Sequence, residues 1–254
     1  MSELTNRMAI EGDVSRRLSR LSSRHRRELL DLLGSPPDAS RVTAEFWDRV
    51  ERERRAELQV LLLTVDMASQ MQHSEELLPG PVAGAVAGPL SQAGRTWSET
   101  RAAEVARGAV EGMRATLAQR AATWAELGDA VTRQMVADDV ADVISPTQDA
   151  VTAATETTAA QTAGTNAVVQ AAQVSGFNMV TRWKTERDDR VCPVCRPLDG
   201  KIPDLWGPVL ETLVAPGGGR AVDAITANGG PPAHPNCRCY LVTAPEKTAT
   251  RVRR

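Results

Sequence analysis

Aromatic residues are scarce in this chain of 254 residues, which has one tyrosine, two phenylalanines and five tryptophans. Alanine is abundant instead. Few bulky side chains are therefore available to anchor a core, and we expect helices that pack closely on small side chains. The length allows one large domain or two modest ones.

The sequence also lacks an excess of charge of one sign. It has 30 lysines and arginines against 32 acidic residues, a formal net charge of −2. This balance argues against affinity of the whole chain for nucleic acid, which is usually carried by a strongly basic domain. Basic residues are nevertheless concentrated at the two ends: Arg7, Arg16, Arg17, Arg20, Arg24, Arg26, Arg27, Arg251, Arg253 and Arg254. Such runs are usually solvated, and the alternative is contact with packaged DNA or an acidic partner.

Long hydrophobic runs are missing as well. The most apolar segment, Leu58 to Val65, is far too short to cross a bilayer, so we expect no membrane contact. The first residues lack the apolar stretch of a signal peptide. We therefore expect the chain to be made in a reducing cytoplasm, where thiols that bind metal are favoured over disulfides.

Apolar periodicity and capping signals predict five helical zones, at residues 3–33, 43–78, 96–127, 129–144 and 147–174. The second would be about 50 Å long at 1.5 Å per residue, which suits an extended element bound to a partner. Its apolar stripe, which includes Leu58, Leu62 and Val65, is expected to dock on that partner. The Pro79-Gly80-Pro81 sequence and the small residues after it predict a break, so residues 81–95 are predicted to form a linker.

The predicted fold is mostly α with a small α+β C-terminal domain, in which long N-terminal helices precede a zinc-stapled β-rich module. The expected segments are a long-helix arm at 1–80, the linker at 81–95, an alanine-rich helical region at 96–174, a metal-binding domain at 175–245 and a basic tail at 246–254. Two β-prone runs, 177–184 and 240–243, bound the last domain.

All four cysteines lie in that domain. Cys192 and Cys195 have the Cys-x-x-Cys spacing that allows two thiolates to face one tetrahedral metal ion. His234 and Cys237 repeat this spacing with an imidazole, and Cys239 is a fifth candidate on the same strand face as Cys237. Zinc suits this mixture of sulfur and nitrogen ligands. Either His234 and Cys237 complete the site, or Cys239 replaces one of them.

Three other interpretations of the cysteines were weighed: unliganded buried thiols, two disulfides and a redox Cys-x-x-Cys pair. The segment between the two ligand pairs is longer than in compact zinc fingers, so an inserted loop at 203–230 is expected. Within it, a short helix could pack over the site through Trp206, Leu210, Leu213 and Val214. A metal-dependent nuclease would instead need an open coordination position and a base, for which the available groups are His234, Asp189 and Asp199.

Several blocks occur in a fixed order: Trp183-x-Thr185, Asp188-Asp189-Arg190-Val191-Cys192-x-x-Cys195, Leu198-Asp199-Gly200-Lys201 and Pro232-x-His234-Pro235-Asn236-Cys237-Arg238-Cys239. Over about residues 155–245, this combination resembles the phage Mu F-like domain of minor head proteins of tailed bacteriophages, including the SPP1-type head morphogenesis proteins. The resemblance implies a virion protein that lies in the capsid interior at the portal vertex. It implies a low copy number, with several copies in each virion, and assembly in the host cytoplasm.

The resemblance also implies a function in head assembly or in genome packaging and delivery. The implied partners are the portal protein and the major capsid protein. The charge of the arginine-rich N-terminal helix adds packaged DNA as a further expected contact. We expect a structural zinc ion, no catalytic residues and no enzymatic activity. The alternative is a zinc-containing DNA-binding or nuclease factor carried with the phage genome.

Overall fold

A computed structural model describes residues 3–186, 191–212 and 219–246. Within these ranges the chain forms α1 (Glu3–Leu33), α2 (Ala44–Leu77), α3 (Gly80–Leu127), α4 (Arg133–Val143), α5 (Pro146–Val174), β1 (Met179–Lys184), α6 (Pro203–Thr212), α7 (Gly219–Asn228) and β2 (Tyr240–Pro245). The mostly helical class with a small C-terminal sheet is confirmed. Asp188, Asp189, Arg190, Leu213, Val214 and the tail from residue 247 lie outside the described residues.

Helix ends follow the capping residues of the sequence. Gly34 follows α1 with φ of 72°, and Gly176 follows α5 with φ of 87°, a left-handed conformation that glycine adopts without steric cost. At the start of α4, the Thr132 side chain accepts a hydrogen bond from the backbone N–H of Met135 at 3.2 Å. This bond satisfies one of the free amides of the first turn.

The predicted linker at residues 81–95 is wrong, because this segment is the first part of α3. Pro81 lies in the first turn, where a helix needs no amide donor. The backbone N–H groups of Val82 and Ala83 both donate to the carbonyl of Pro79, at 2.8 and 3.0 Å. Leu90 is buried in a cluster with α5 residues, and packing of this kind outweighs the weak helix propensity of glycine and the internal Pro89.

The chain divides into two compact units. Unit 1 contains Met1–Leu62 and Ser98–Ala153. Its core holds three of the few aromatic side chains among aliphatic ones: Leu29, Leu33, Phe46, Trp47, Val50, Val110, Met113, Leu117, Trp124, Val136, Val140, Val143 and Ile144. The unit also buries an ion pair, in which Arg54 donates to Asp149 at 2.7 Å and to the Ser22 hydroxyl at 2.9 Å.

The apolar stripe that was expected to dock on a partner is buried in the folded chain. Leu58, Leu62 and Val65 on α2 are only 1%, 2% and 3% exposed. These side chains stabilise the chain itself and are not available to a partner. The prediction of a free apolar stripe on this helix is therefore wrong.

Unit 2 contains Leu63–Trp97 and the residues from Ala154 onward. Its β1 and β2 form an antiparallel pair in which Trp183 lies opposite Leu241. The module contains less strand than a β-rich fold, because α6 and α7 occupy much of the segment between the ligand pairs. Trp206 of α6 is buried beside the cysteines, as expected. Among the described residues, no helix has the length and apolar character needed to cross a membrane.

Candidate metal centre

Strand β1 holds the first cysteine turn in place. The backbone N–H of Trp183 donates to the carbonyl of Lys201 at 2.9 Å, and the N–H of Gly200 donates back to the carbonyl of Trp183 at 2.7 Å. This pair of bonds ties the segment that follows Cys195 to the strand. The Asp199 carboxylate closes the same connection by accepting from the N–H of Thr185 at 3.1 Å.

The first turn has a sulfur atom as a hydrogen-bond acceptor. The backbone N–H of Cys195 donates to Sγ of Cys192 at 3.2 Å, and the N–H of Arg196 donates to the carbonyl of Cys192 at 3.1 Å. Hydrogen bonds to a thiol sulfur favour its charged thiolate form, which is the form that binds metal. The turn is therefore arranged to present Cys192 as a ligand.

The second turn is supported by helix α5. The N–H of Cys237 donates to the carbonyl of His234 at 3.1 Å, and Asn236 between them has φ of 59°, which asparagine tolerates better than most residues. The Thr155 hydroxyl accepts from the N–H of Asn236 at 3.2 Å. The Thr158 hydroxyl donates to the carbonyl of Cys237 at 2.8 Å.

These two threonines were not among the predicted site residues. Thr155 and Thr158 belong to the threonine-rich stretch of α5, which weakens helix propensity. Thr158 is 1% exposed. The sequence shows a threonine-rich stretch, but no local pattern shows which of its hydroxyl groups meet the second turn.

The structure brings all five predicted ligands together in two groups that share Cys195. Cys192, Cys195 and His234 form one group, and Cys195, Cys237 and Cys239 form the other. Within each group the ligand atoms lie within 4.8 Å of one another, so either group could hold a metal ion. Cys195, Cys237 and Cys239 are buried, whereas Cys192 and His234 are half-buried.

Two distances test whether these side chains fit zinc. Zinc–sulfur bonds of about 2.3 Å and zinc–nitrogen bonds of about 2.0 Å place two sulfurs roughly 3.8 Å apart in a tetrahedral site, and a sulfur and a nitrogen roughly 3.5 Å apart. Sγ of Cys195 lies 3.9 Å from Sγ of Cys237 and 3.4 Å from Nε2 of His234. All four cysteines are free thiols. The donor atoms therefore fit zinc.

The orientation of His234 agrees with this fit. Its Nδ1 lies 2.8 Å from the carbonyl of Pro235, so Nδ1 carries the proton and donates. Nε2, the nitrogen that faces Cys195, is then the ring position that can bind a metal ion when it loses its proton. Metal-binding histidines are commonly oriented by such a bond from the second ring nitrogen.

The electrostatics of the cluster favour negative charge on two of its four sulfurs. Hydrogen bonds from Cys195 and then from His234 lower the pKa of Cys192 to about 4, against the opposing effect of burial. The hydrogen bond from Cys195 also holds the pKa of Cys237 well below its usual range. Contact with Cys192 and then with Cys237 raises the pKa of His234 to about 10. The cluster thus stabilises the thiolates of Cys192 and Cys237, which attract a cation. Contacts with the same two residues raise the pKa of Cys195 well above its usual range.

Little space remains beside the ligands. The pocket at the cluster has a volume of about 20 Å³ and is lined by Glu186, Val191, Cys192, Cys195, His234, Asn236, Arg238 and Cys239. Such a volume suits an ion or one water molecule. On the other side, Trp183 is fully buried against the cysteines and meets Trp206 edge to face, with ring centroids 5.4 Å apart.

Comparison with known families gives one match. Residues 126–242 match the model of a family described as phage Mu protein F like protein. The matched region includes α4 and α5 in addition to the cysteine-rich module. No curated protein and no solved structure matches the chain.

Proposed function

Because residues 126–242 match the phage Mu protein F like family, we propose that the chain is a minor head protein of a tailed phage, located in the capsid interior at the portal vertex. It would act there in head assembly and in packaging or delivery of the genome. The family match carries this proposal. The metal cluster supports it, because its five candidate ligands lie inside the matched region.

The proposed metal is one structural zinc ion, held by Cys192 and Cys195 together with two of the three candidates His234, Cys237 and Cys239. Zinc would cross-link the two turns and contribute folding free energy to the module. The sulfur–sulfur and sulfur–nitrogen distances support this choice. The oriented Nε2 of His234 supports it as well.

We propose that the centre is not catalytic. A zinc enzyme keeps a coordination position open to water or substrate, whereas sites closed by four protein ligands are structural. Here five candidate ligands surround a pocket of about 20 Å³, too small for a nucleotide. Asp199 is one candidate base of a nuclease, and its carboxylate accepts a hydrogen bond from the backbone N–H of Thr185 at the end of β1. These contacts support a structural function for the centre.

Docking on the portal protein would use exposed side chains of α2. Leu58, Leu62 and Val65 are buried, but Met67 and Met71 are 42% and 62% exposed and lie one turn apart on one face. Methionine side chains adapt to irregular apolar surfaces. We therefore assign the portal contact to this pair.

The test combines metal analysis of the purified full chain with capture by the portal protein of the same phage. We expect about one zinc per chain, portal capture, and no nicking of supercoiled plasmid DNA. Met67→Ser with Met71→Ser should abolish capture, whereas Met135→Ser, at a residue 37% exposed in unit 1, should not. Folded protein without zinc would overturn the metal assignment, and failure of the wild-type chain to bind portal would overturn the location.

A further inference from the structure

A pocket in unit 1 lies between the end of α1 and the start of α4. It has a volume of about 240 Å³, and its apolar lining residues are Leu30, Pro37, Val131, Val136 and Ala137. All of them belong to unit 1. An engineered cavity of about 150 Å³ holds a benzene molecule, so this pocket is large enough for one leucine side chain. We call it the α1–α4 pocket.

The α1–α4 pocket carries one charged residue from each helix. Asp31 on α1 and Arg133 on α4 both line it, and both are exposed. The neighbouring Arg41 pairs instead with Asp38, at 3.4 Å. Among the described residues, neither Asp31 nor Arg133 has an ion-pair or hydrogen-bond partner for its side chain. One negative and one positive charge at the pocket therefore remain for a partner.

An exposed leucine lies close to the pocket along the chain. Leu127 is the last residue of α3 and is 41% exposed. It precedes the pocket residue Val131 by four positions, so the two Cα atoms are at most about 14 Å apart. The residues between them, Gly128–Ala130, form one exposed 3₁₀ turn. Leu127 is therefore an apolar side chain that a neighbouring molecule can meet next to the pocket.

A pocket, an exposed leucine and one charge of each sign form a self-complementary set. A two-fold axis makes residue i of one copy contact residue j of the other, while residue j of the first contacts residue i of the second. A second copy of the chain therefore presents a leucine for the pocket, an arginine for Asp31 and an aspartate for Arg133. A partner of another sequence would need to acquire this inverse arrangement independently.

We propose that the α1–α4 pocket is an interface between two copies of this chain. Leu127 of each copy enters the pocket of the other, and Asp31 pairs with Arg133 across a two-fold axis. Contacts with one anchor per copy belong to the small, transient interfaces that bury less than about 1,200 Å². The surface lies in unit 1 and is separate from Met67 and Met71 of unit 2, to which the portal contact is assigned.

Sedimentation velocity of the full-length protein, from about 1 to about 200 μM, measures the dimer. We expect the wild type to dimerise as its concentration rises. Leu127→Ser removes the apolar anchor and should weaken dimerisation on the order of tenfold or more, because a few buried anchors carry most of the affinity of an interface.

Met135→Ser is the matched control for the loss of an exposed apolar side chain. Met135 is 37% exposed and lies on α4, two residues after Arg133. Two residues turn a helix by about 200°, so Met135 is on the side of α4 opposite Arg133. Its replacement should leave dimerisation unchanged. Equal weakening by Met135→Ser and Leu127→Ser would overturn the proposal.

Charge reversal tests the two-fold axis. Asp31→Arg and Arg133→Asp each place like charges opposite each other twice, so each variant alone should dimerise on the order of tenfold or more weakly than wild type. An equal mixture of the two variants should dimerise again, because both pairs across the axis then have opposite signs. Glu111→Arg reverses an exposed α3 carboxylate in the same unit and should behave as the wild type does.

Recovery in the mixture also excludes misfolding of the single variants as the reason for their weak association. Recovery in the double variant Asp31→Arg with Arg133→Asp, but not in the mixture, would show that the two residues pair within one chain and would overturn the proposal. A wild type that stays monomeric at the highest concentration would overturn it as well. If Leu127→Ser then loses portal capture, the pocket binds the portal protein instead of a second copy.

The dimer and the portal contact can fail separately. A wild-type chain that dimerises through this pocket but does not bind portal would support the interface and refute the portal location. A chain that binds portal but shows no recovery in the charge-reversed mixture would keep the proposed function and refute the interface.

Discussion

The Thr158 hydroxyl is one of two α5 hydroxyl groups that contact the candidate metal centre, and its removal tests how the centre is built. Thr158 Oγ1 donates to the carbonyl of Cys237 at 2.8 Å, and both residues are buried. Thr158→Val keeps the shape of the side chain and removes the donor. The carbonyl of a candidate ligand residue is then left without this partner inside the protein.

A buried acceptor that loses its hydrogen bond costs about 1–3 kcal/mol. At about 1.4 kcal/mol per tenfold change in an equilibrium constant, this range corresponds to roughly 5- to 150-fold. Substitution of residues that support metal ligands typically weakens metal binding by about 10- to 100-fold, which overlaps that range. We therefore expect Thr158→Val to weaken zinc affinity by about tenfold or more.

The helix itself provides a matched control. Thr162 lies one turn further along α5 and is 2% exposed, and its Oγ1 has no hydrogen-bond partner in the described structure. Thr162→Val is the same chemical change at a similar burial and should leave zinc affinity within about twofold, because no bond is lost. Competition with a chromogenic chelator measures both affinities. Equal zinc affinity in the two variants would refute the assignment of Thr158 to the metal centre.

Two further predictions concern buried charges. Burial raises the pKa of Asp66 to about 7, so between about pH 4 and pH 7 the folded chain keeps a proton that the unfolded chain has lost, and stability falls as the pH rises. At 1.36 kcal/mol per pKa unit, Asp66→Asn should raise the free energy of unfolding in urea by up to about 4 kcal/mol over wild type at pH 8, and by almost nothing at pH 4. The same difference at both pH values would contradict burial of this carboxyl group as the cause. Asp149→Leu leaves the buried Arg54 charge without its carboxylate and should lower the free energy of unfolding by about 3–5 kcal/mol. Adding Arg54→Met should recover most of this loss. A double variant no more stable than the single one would exclude charge burial as the reason.

The order and ends of the helices could be predicted because local residues determine them. Gly34 and Gly176 follow α1 and α5 in the left-handed conformation that ends a helix, and α1, α4 and α5 lie within about four residues of their predicted limits. These signals depend on the backbone conformation of one or two residues. Tertiary contacts do not need to be known to interpret them.

The start of α3 could not be predicted, because packing decides it. Gly80, Pro81 and Pro89 are breaking signals in isolation, and nothing local shows that Leu90 is buried with Val168 and Ala172. The prediction that the stripe at Leu58 and Leu62 docks on a partner was wrong for a related reason. Periodicity shows that a helix face is apolar, but it does not show whether the same chain or a partner covers that face.

The five candidate ligands could be identified from spacing, but the element that supports them could not. The second turn is hydrogen-bonded to α5, through Thr155 at Asn236 and through Thr158 at Cys237. A third bond extends this support, because the Asn166 side chain donates to the carbonyl of Gly229 at 3.1 Å. Each of these bonds joins residues more than sixty positions apart, which no spacing rule reveals.

These contacts give a physical reason why the family match includes α5 and does not begin at the first β-prone run. A boundary at residue 175 would separate the second turn from the Thr155 and Thr158 hydroxyls, and leave the carbonyl of Cys237 without its α5 donor. The two-stranded sheet cannot replace this support, because an isolated pair of strands is marginally stable in water. The candidate metal-binding unit is therefore α5 together with the sheet and both cysteine turns, and a bound zinc ion would complete a framework that the helix has already positioned.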